Sequence, residues 1–229
     1  MIGSLDQLLL FQLADASLPT GGYAFSSGLE ATARLGLIRD HHQLEQYLQD
    51  YARQVCTGEI PFINDCYRLS GPWLSADTIN LAWQLDAFLT IPSMRHASTV
   101  QGRNWLAATQ AVFQDKAIGD IELLHRKHGL PCHYTMCFGL SLRTTSTPLQ
   151  STRNLYLYLA LRDQVSVAVR LGLIGPRYGS ELLARILDTG QGMLETYADL
   201  GAGEAYRSGP LMEIAQAWHP NIYSKLFQN

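Results

Sequence analysis

The sequence predicts an all-α protein: one domain, a bundle of about ten helices with a flexible C-terminal tail. Three observations carry this. Apolar residues recur at helical spacing, as in Leu44, Tyr47, Leu48, Tyr51 and Val55, which share one face. Helix starts and stops are marked by Asp, Ser, Gly and Pro at suitable intervals. The one clean alternating run, Val165, Val167, Val169, Leu171 and Leu173, reads as a strand, but it has no partner strand elsewhere and no turn residue for over twenty positions.

In chain order, Ser4 is placed to cap a first helix over 5–16. Pro19-Thr20-Gly21-Gly22 then breaks the chain, because proline fixes φ and glycine admits positive φ. Tyr23 and Phe25 follow this tight loop. Ser27 and Glu30 have the spacing of a capping box at the next helix, 27–35, with Gly36 just past its end. Asp40 caps a third helix, which Gly58 and Pro61 should end. A short helix follows over 62–69, bounded by Ser70-Gly71-Pro72.

Ser75 or Asp77 opens a helix to Leu89 with Leu81, Leu85 and Phe88 on one stripe. Pro92 opens a longer one to Phe113. Helices are expected at 119–129 and 132–143, the second short and buried. Thr147 and Pro148 introduce the longest, 149–171. It is apolar nearly all round between Leu155 and Leu161 and so belongs at the centre. The last long helix is expected at 180–200, softened by Gly190 and Gly192. A flexible link of small residues, 201–210, leads to the tail. The division expected is a helical body, 1–205, and a docking tail, 206–229, with Tyr223, Leu226 and Phe227 as anchors.

Composition removes several classes of function. The 229 residues are 47% hydrophobic and 16% charged, with a net charge of -3. That argues against a nucleic-acid binder working through a basic surface and offers no polybasic membrane patch. The apolar start lacks the preceding Lys or Arg of a secretory signal, and the longest apolar stretch contains Arg162, Asp163 and Arg170. The expectation is a cytoplasmic chain with reduced cysteines. Phosphate-loop and dinucleotide glycine motifs are absent, as are HExxH and GxSxG, so no nucleotide or other cofactor is expected.

One cluster has metal-ligand chemistry: His125, His128, Cys132, His133 and Cys137 lie within thirteen residues. Imidazole and thiolate suit zinc or nickel. His128, Cys132 and His133 are the weak candidates, and a metal-dependent helical enzyme built on 125–137 is the alternative function. Against this, Gly129 and Pro131 break the helix that would align His128 with Cys132. The competing reading is two surface histidines, then a core His133 beside small buried cysteines. Gly102, between Gln101 and Arg103, marks either a close helix approach or simple tolerance. Arg162 and Asp163 read as a hydrogen-bonded polar layer or a subunit contact.

The segment LADASLPTGGYAFSSGLE resembles the N-terminal signature of UreF-type urease accessory proteins. Pro19, Gly21, Gly22, Tyr23, Ser26, Gly28, Leu29 and Glu30 stand where that pattern wants them. The similarity continues through Arg95, Gly102-Arg103, His133, Phe138-Gly139, Tyr156-Leu157-Tyr158 and 165–170. It ends at Ile214-Ala215, His219, Tyr223-Ser224 and Leu226-Phe227. Departures are Gly175-Pro176-Arg177, Trp218, and Lys225 where arginine is usual. Lysine cannot copy the arginine fork.

The resemblance implies an all-helical, dimer-forming, non-catalytic adaptor. Its partners would be a urease-binding scaffold protein of the UreD/UreH type, a nickel-carrying GTPase of the UreG type and, through the complex, apo-urease. The partner-binding residues implied are Pro19, Thr20, Gly21, Gly22 and Tyr23 in the loop, with Tyr223, Lys225, Leu226 and Phe227 in the tail.

Overall fold

Helices enclose helices in this chain, and the most enclosed is short. The computed structural model describes residues 7–70 and 75–228, and among them there is no β-strand. Eleven α-helices run in order: α1 (Gln7–Leu13), α2 (Leu29–Arg34), α3 (His41–Gln54), α4 (Ile60–Arg68), α5 (Ala76–Phe88), α6 (Pro92–Phe113), α7 (Lys116–Lys127), α8 (Tyr134–Thr144), α9 (Leu149–Arg170), α10 (Pro176–Thr196) and α11 (Pro210–Trp218). The all-α reading is correct: the alternating run is helical through Arg170, closing α9, and its last members, Leu171 and Leu173, lie in the turn that follows. Ser4, Gly71 and Pro72 lie outside the described residues.

α8 is the innermost element, buried at every position from Thr135 to Leu142. It packs between α6 and α4, while α9 leans on α10, and α10 on α3. α9, expected at the centre, is indeed largely buried. An aromatic cluster joins α6, α8 and α9: the Phe138 ring lies 4.5 Å from Trp105 and 5.1 Å from Tyr156. Trp105 Nε1 is satisfied by Ser141 Oγ at 2.8 Å, so the buried indole leaves no free donor.

Several local signals work as expected. Asp40 caps α3 by accepting from Gln43 N–H, and Ser75 caps α5 by accepting from Thr78 N–H. Gly36 has φ 71° and closes α2.

Others are corrected. Gly58 and Pro61 do not end the third helix. The chain stays helical from His41 to Arg68 through a widened π-turn, Val55–Glu59, where Ile60 N–H donates to the Val55 carbonyl five residues back. Pro61 has no N–H for the Thr57 carbonyl, and Tyr206 N–H takes that carbonyl instead at 3.0 Å. A distant strand of backbone thus repairs what the proline removes. α10 starts four residues earlier than expected because Pro176 occupies its first turn. Pro148 caps α9 from outside rather than entering it.

The 201–210 link is held at several points. Ala202 N–H donates to Asp65 Oδ2 at 2.8 Å, and Gly209 N–H to Gln54 Oε1 at 2.8 Å. The link therefore delivers α11 to a fixed place against α2.

Candidate functional site

The Ser27–Glu30 capping box does not form. Ser27 has φ 48° and Gly28 φ 95°, so the helix entry is left-handed backbone and no side chain caps it. Gly28 is required twice over: its φ favours glycine, and an added Cβ would sit 3.0 Å from the Met212 carbonyl of α11. The close approach brings the tail beside α2. Glu30 is thereby freed for another task.

Glu30 is fully buried and organises the tail. Its Oε1 accepts from Leu226 N–H at 2.7 Å, and its Oε2 from Phe227 N–H at 3.2 Å. Oε2 also meets His219 Nε2 at 2.8 Å, with His219 equally buried. A carboxylate out of water needs such donors.

The tail then meets the loop. Gln228 N–H donates to the Ala24 carbonyl at 2.9 Å. Arg170, at the end of α9, donates to the Tyr23 carbonyl and lies over the Phe227 ring at 4.3 Å. Arg170 thus joins loop and tail. Lys225 does not: its Nζ bonds the Pro220 carbonyl at 2.9 Å, within the tail itself. Lys225→Ala should change stability by no more than about 0.5 kcal/mol in chemical denaturation.

Each loop residue has a physical reason. Gly21 has φ 79°, and Asn104 Nδ2 holds the Thr20 carbonyl at 3.3 Å. A Cβ on Gly22 would come within 2.4 Å of Asp163 Oδ2. Asp163 is gripped by Arg162 at 2.6 Å, and Arg162 also donates to the Ala14 carbonyl at 2.6 Å, fixing the end of the first helical turn region. The Arg162–Asp163 pair is therefore a polar layer under the loop. Burial pushes the Asp163 carboxyl up, against the lowering effect of Arg162. Beneath the loop lies a cavity of about 120 Å³ lined by Gly22, Tyr51, Glu59, Tyr134, Asp163 and Arg207, among others.

The sequence-predicted residues divide by exposure. Phe227 is buried, Leu226 half-exposed, and Tyr23 (66%) and Tyr223 stand in solvent, Tyr223 completely. Two helices add exposed apolar stripes: Leu8 and Phe11 on α1, and Leu211, Ile214 and Trp218 on α11. Exposed apolar groups at helical spacing suit the docking of another protein.

The His/Cys region is rearranged relative to expectation. His128 is exposed at the end of α7. His133 is buried but turns to Asp86, with Nε2 to Oδ1 at 3.0 Å. Arg95 grips the same carboxylate. Burial works against Asp86, yet His133 and Arg95 together hold its carboxyl below the usual range. Burial also lowers His133. Of the three weak candidates only Cys132 lies in a ligand cluster, and its companions are His125 and Cys137. Asp86, Arg170 as a bridge, and Glu30 as the tail's anchor were not legible as such. Each acts on residues far along the chain, and no local spacing signals it.

Fold and site define an all-helical protein whose glycine loop and C-terminal tail form one hydrogen-bonded unit carrying exposed aromatic rings. A family model described as UreF matches residues 38–187, so the chain belongs to the UreF family. It is 31% identical over 225 residues to urease accessory protein F of Arabidopsis thaliana, covering 95% of this chain and 90% of that protein. The rice protein of the same name is 29% identical over 223 residues, covering 95% and 83%. UreF of Paenarthrobacter aurescens is 27% identical over 223 residues, covering 97% and 98%. The chain thus belongs to a family of urease accessory proteins, which are not enzymes, and the metal-dependent-enzyme alternative falls away. No helix among the described residues is long and apolar enough to cross a membrane.

Proposed function

We propose that this chain is a cytoplasmic, dimer-forming adaptor for nickel insertion into apo-urease. It joins a urease-binding scaffold protein to a nickel-carrying GTPase and performs no reaction itself. The observation that supports this best is the division of labour in the tail. Glu30, His219 and Arg170 hold its backbone and the Phe227 ring, which leaves Tyr223, Leu226 and Tyr23 facing outward. Contacts that anchor a segment are thereby separated from side chains free to meet a partner. The scaffold protein binds the helical body and tail, and the loop at Pro19–Tyr23 then receives the GTPase.

The test is co-purification of the full chain with both partners, followed by urease activation. Removing 223–229 outright would also strip Glu30 of two donors, so single substitutions are cleaner. Tyr223→Ala should leave stability within about 0.5 kcal/mol, since the ring is fully exposed. It should weaken complex formation by about 2 kcal/mol or more, the size of an aromatic anchor. Undiminished assembly and activation with both Tyr23→Ala and Tyr223→Ala would refute the docking assignment.

A further inference from the structure

We propose that His125, Cys132 and Cys137 form a binding site for one thiophilic divalent cation of the zinc type, with a fourth coordination position open to the surface. One ligand atom from each residue lies within 4.8 Å of the others, and all three residues are buried. The two sulfurs are 3.3 Å apart. Neither ring nitrogen of His125 has a hydrogen-bond partner of good geometry, although the side chain is 97% enclosed (3% exposed). The Leu130 and Pro131 backbone lies beside the ring without a well-aligned bond; an enclosed imidazole so poorly answered is costly, and a metal bond to one nitrogen removes part of that cost.

The backbone builds the site. His125 sits in the last turn of α7. Gly129, at φ 61°, turns the chain, and Leu130 N–H closes onto the His125 carbonyl at 2.9 Å. Cys132 follows, and Cys137 lies one turn into α8, its N–H bonded to the His133 carbonyl at 3.0 Å. Gly102 on α6 presses on this segment: an added Cβ would stand 1.9 Å from the Cys132 carbonyl oxygen. The glycine–proline break that spoils the spacing of His128 with Cys132 is thus what brings His125 to both thiols.

The donor set is chemically consistent. Two thiolates and a neutral imidazole around a divalent ion carry no net charge, which suits a buried position. Binding replaces two thiol protons with two metal–sulfur bonds and releases both protons to solvent. Zinc–sulfur bonds of about 2.3 Å in a tetrahedron put sulfurs about 3.8 Å apart, so the pair opens by about half an ångström. A groove lined by Thr99, Arg103, Glu122 and Arg126 reaches His125 and Cys132 from the surface and gives access to the fourth position. Three protein ligands with one open place differ from the closed four-ligand set of a structural zinc site.

The test uses the full reduced chain, stripped with chelator and titrated with Co²⁺, then Zn²⁺. The expected result is a thiolate-to-cobalt charge-transfer absorption saturating at one equivalent with release of about two protons, then abolished by one equivalent of Zn²⁺, which takes the place of cobalt with no further proton release. Cys137→Ser and His125→Ala should each weaken binding at least about tenfold, since loss of even an outer-shell partner costs that much, while His128→Ala should leave it unchanged. Absence of the charge-transfer band in the wild-type chain overturns the proposal without any variant. So does a band that survives in both Cys132→Ser and Cys137→Ser. These outcomes leave the adaptor reading untouched.

Discussion

Glu30→Ala should cost about 3 kcal/mol or more of folding stability, because three groups lose their shared buried hydrogen-bond partner at about 1–3 kcal/mol each. The carboxylate is fully enclosed and is met by His219 Nε2 and by two tail amides. Alanine leaves those donors unanswered inside the protein. The measurement is denaturant unfolding of the full chain with hydrogen exchange at Leu226 and Phe227. Exchange at those two amides should accelerate more than at α8, because the tail loses its anchor while the α4–α6–α8 core keeps its packing. His219→Ala should cost less, since Glu30 retains two N–H donors. The double variant should fall short of the sum, as expected for groups in one network. A loss under about 1 kcal/mol for Glu30→Ala, with unchanged tail exchange, would show that the tail is held by something else.

Gly102→Ala should cost at least about 3 kcal/mol, at or beyond the usual upper end of overpacking. The added Cβ would stand 1.9 Å from the Cys132 carbonyl oxygen and 2.9 Å from Tyr134 N. Both are backbone atoms, so no side-chain rotation relieves the clash; α6 and the 132–134 segment must part. Gly192→Ala is the matched comparison. That glycine lies within α10 with nothing within 4 Å of its would-be Cβ. The substitution should stabilise by about 0.5–1 kcal/mol through helix propensity alone. Parallel denaturation curves for the two variants check both. Equal effects would mean that the α6–α8 contact is looser than its geometry.

Both cases show where local reading stops. Gly102 and Gly192 look alike in the sequence, each a mid-helix glycine. One faces another segment's backbone and the other faces solvent. Close approach and tolerance were both open for Gly102, and only the position of Cys132 decides for close approach. Glu30 is a sharper instance. Three residues after Ser27, it has capping-box spacing, yet the left-handed backbone at Ser27 and Gly28 prevents the cap. Its partners lie about two hundred residues away in sequence. Pro61 repeats the lesson: it carries a stop signal, and the stop is cancelled by Tyr206 from across the molecule. In the His/Cys region, the residue types were legible and the ligand set was not. A chain reversal at Gly129 excludes His128 and brings in His125.

The sequence by itself determined the helical class, the principal helices and their caps at Asp40 and Ser75. It also determined the shaped loop at Pro19–Tyr23 and the resemblance that the family match then established. These rest on periodicity, backbone conformational limits and short-range hydrogen bonds, all of which act within a few residues. Tertiary structure alone decided that Arg170 rather than Lys225 bridges loop and tail, and that Glu30 anchors the chain's end. It also decided which histidine joins the two cysteines. Those outcomes depend on burial: a charged or polar group removed from water must find its partners in space, and spatial neighbours are set only when the helices have packed.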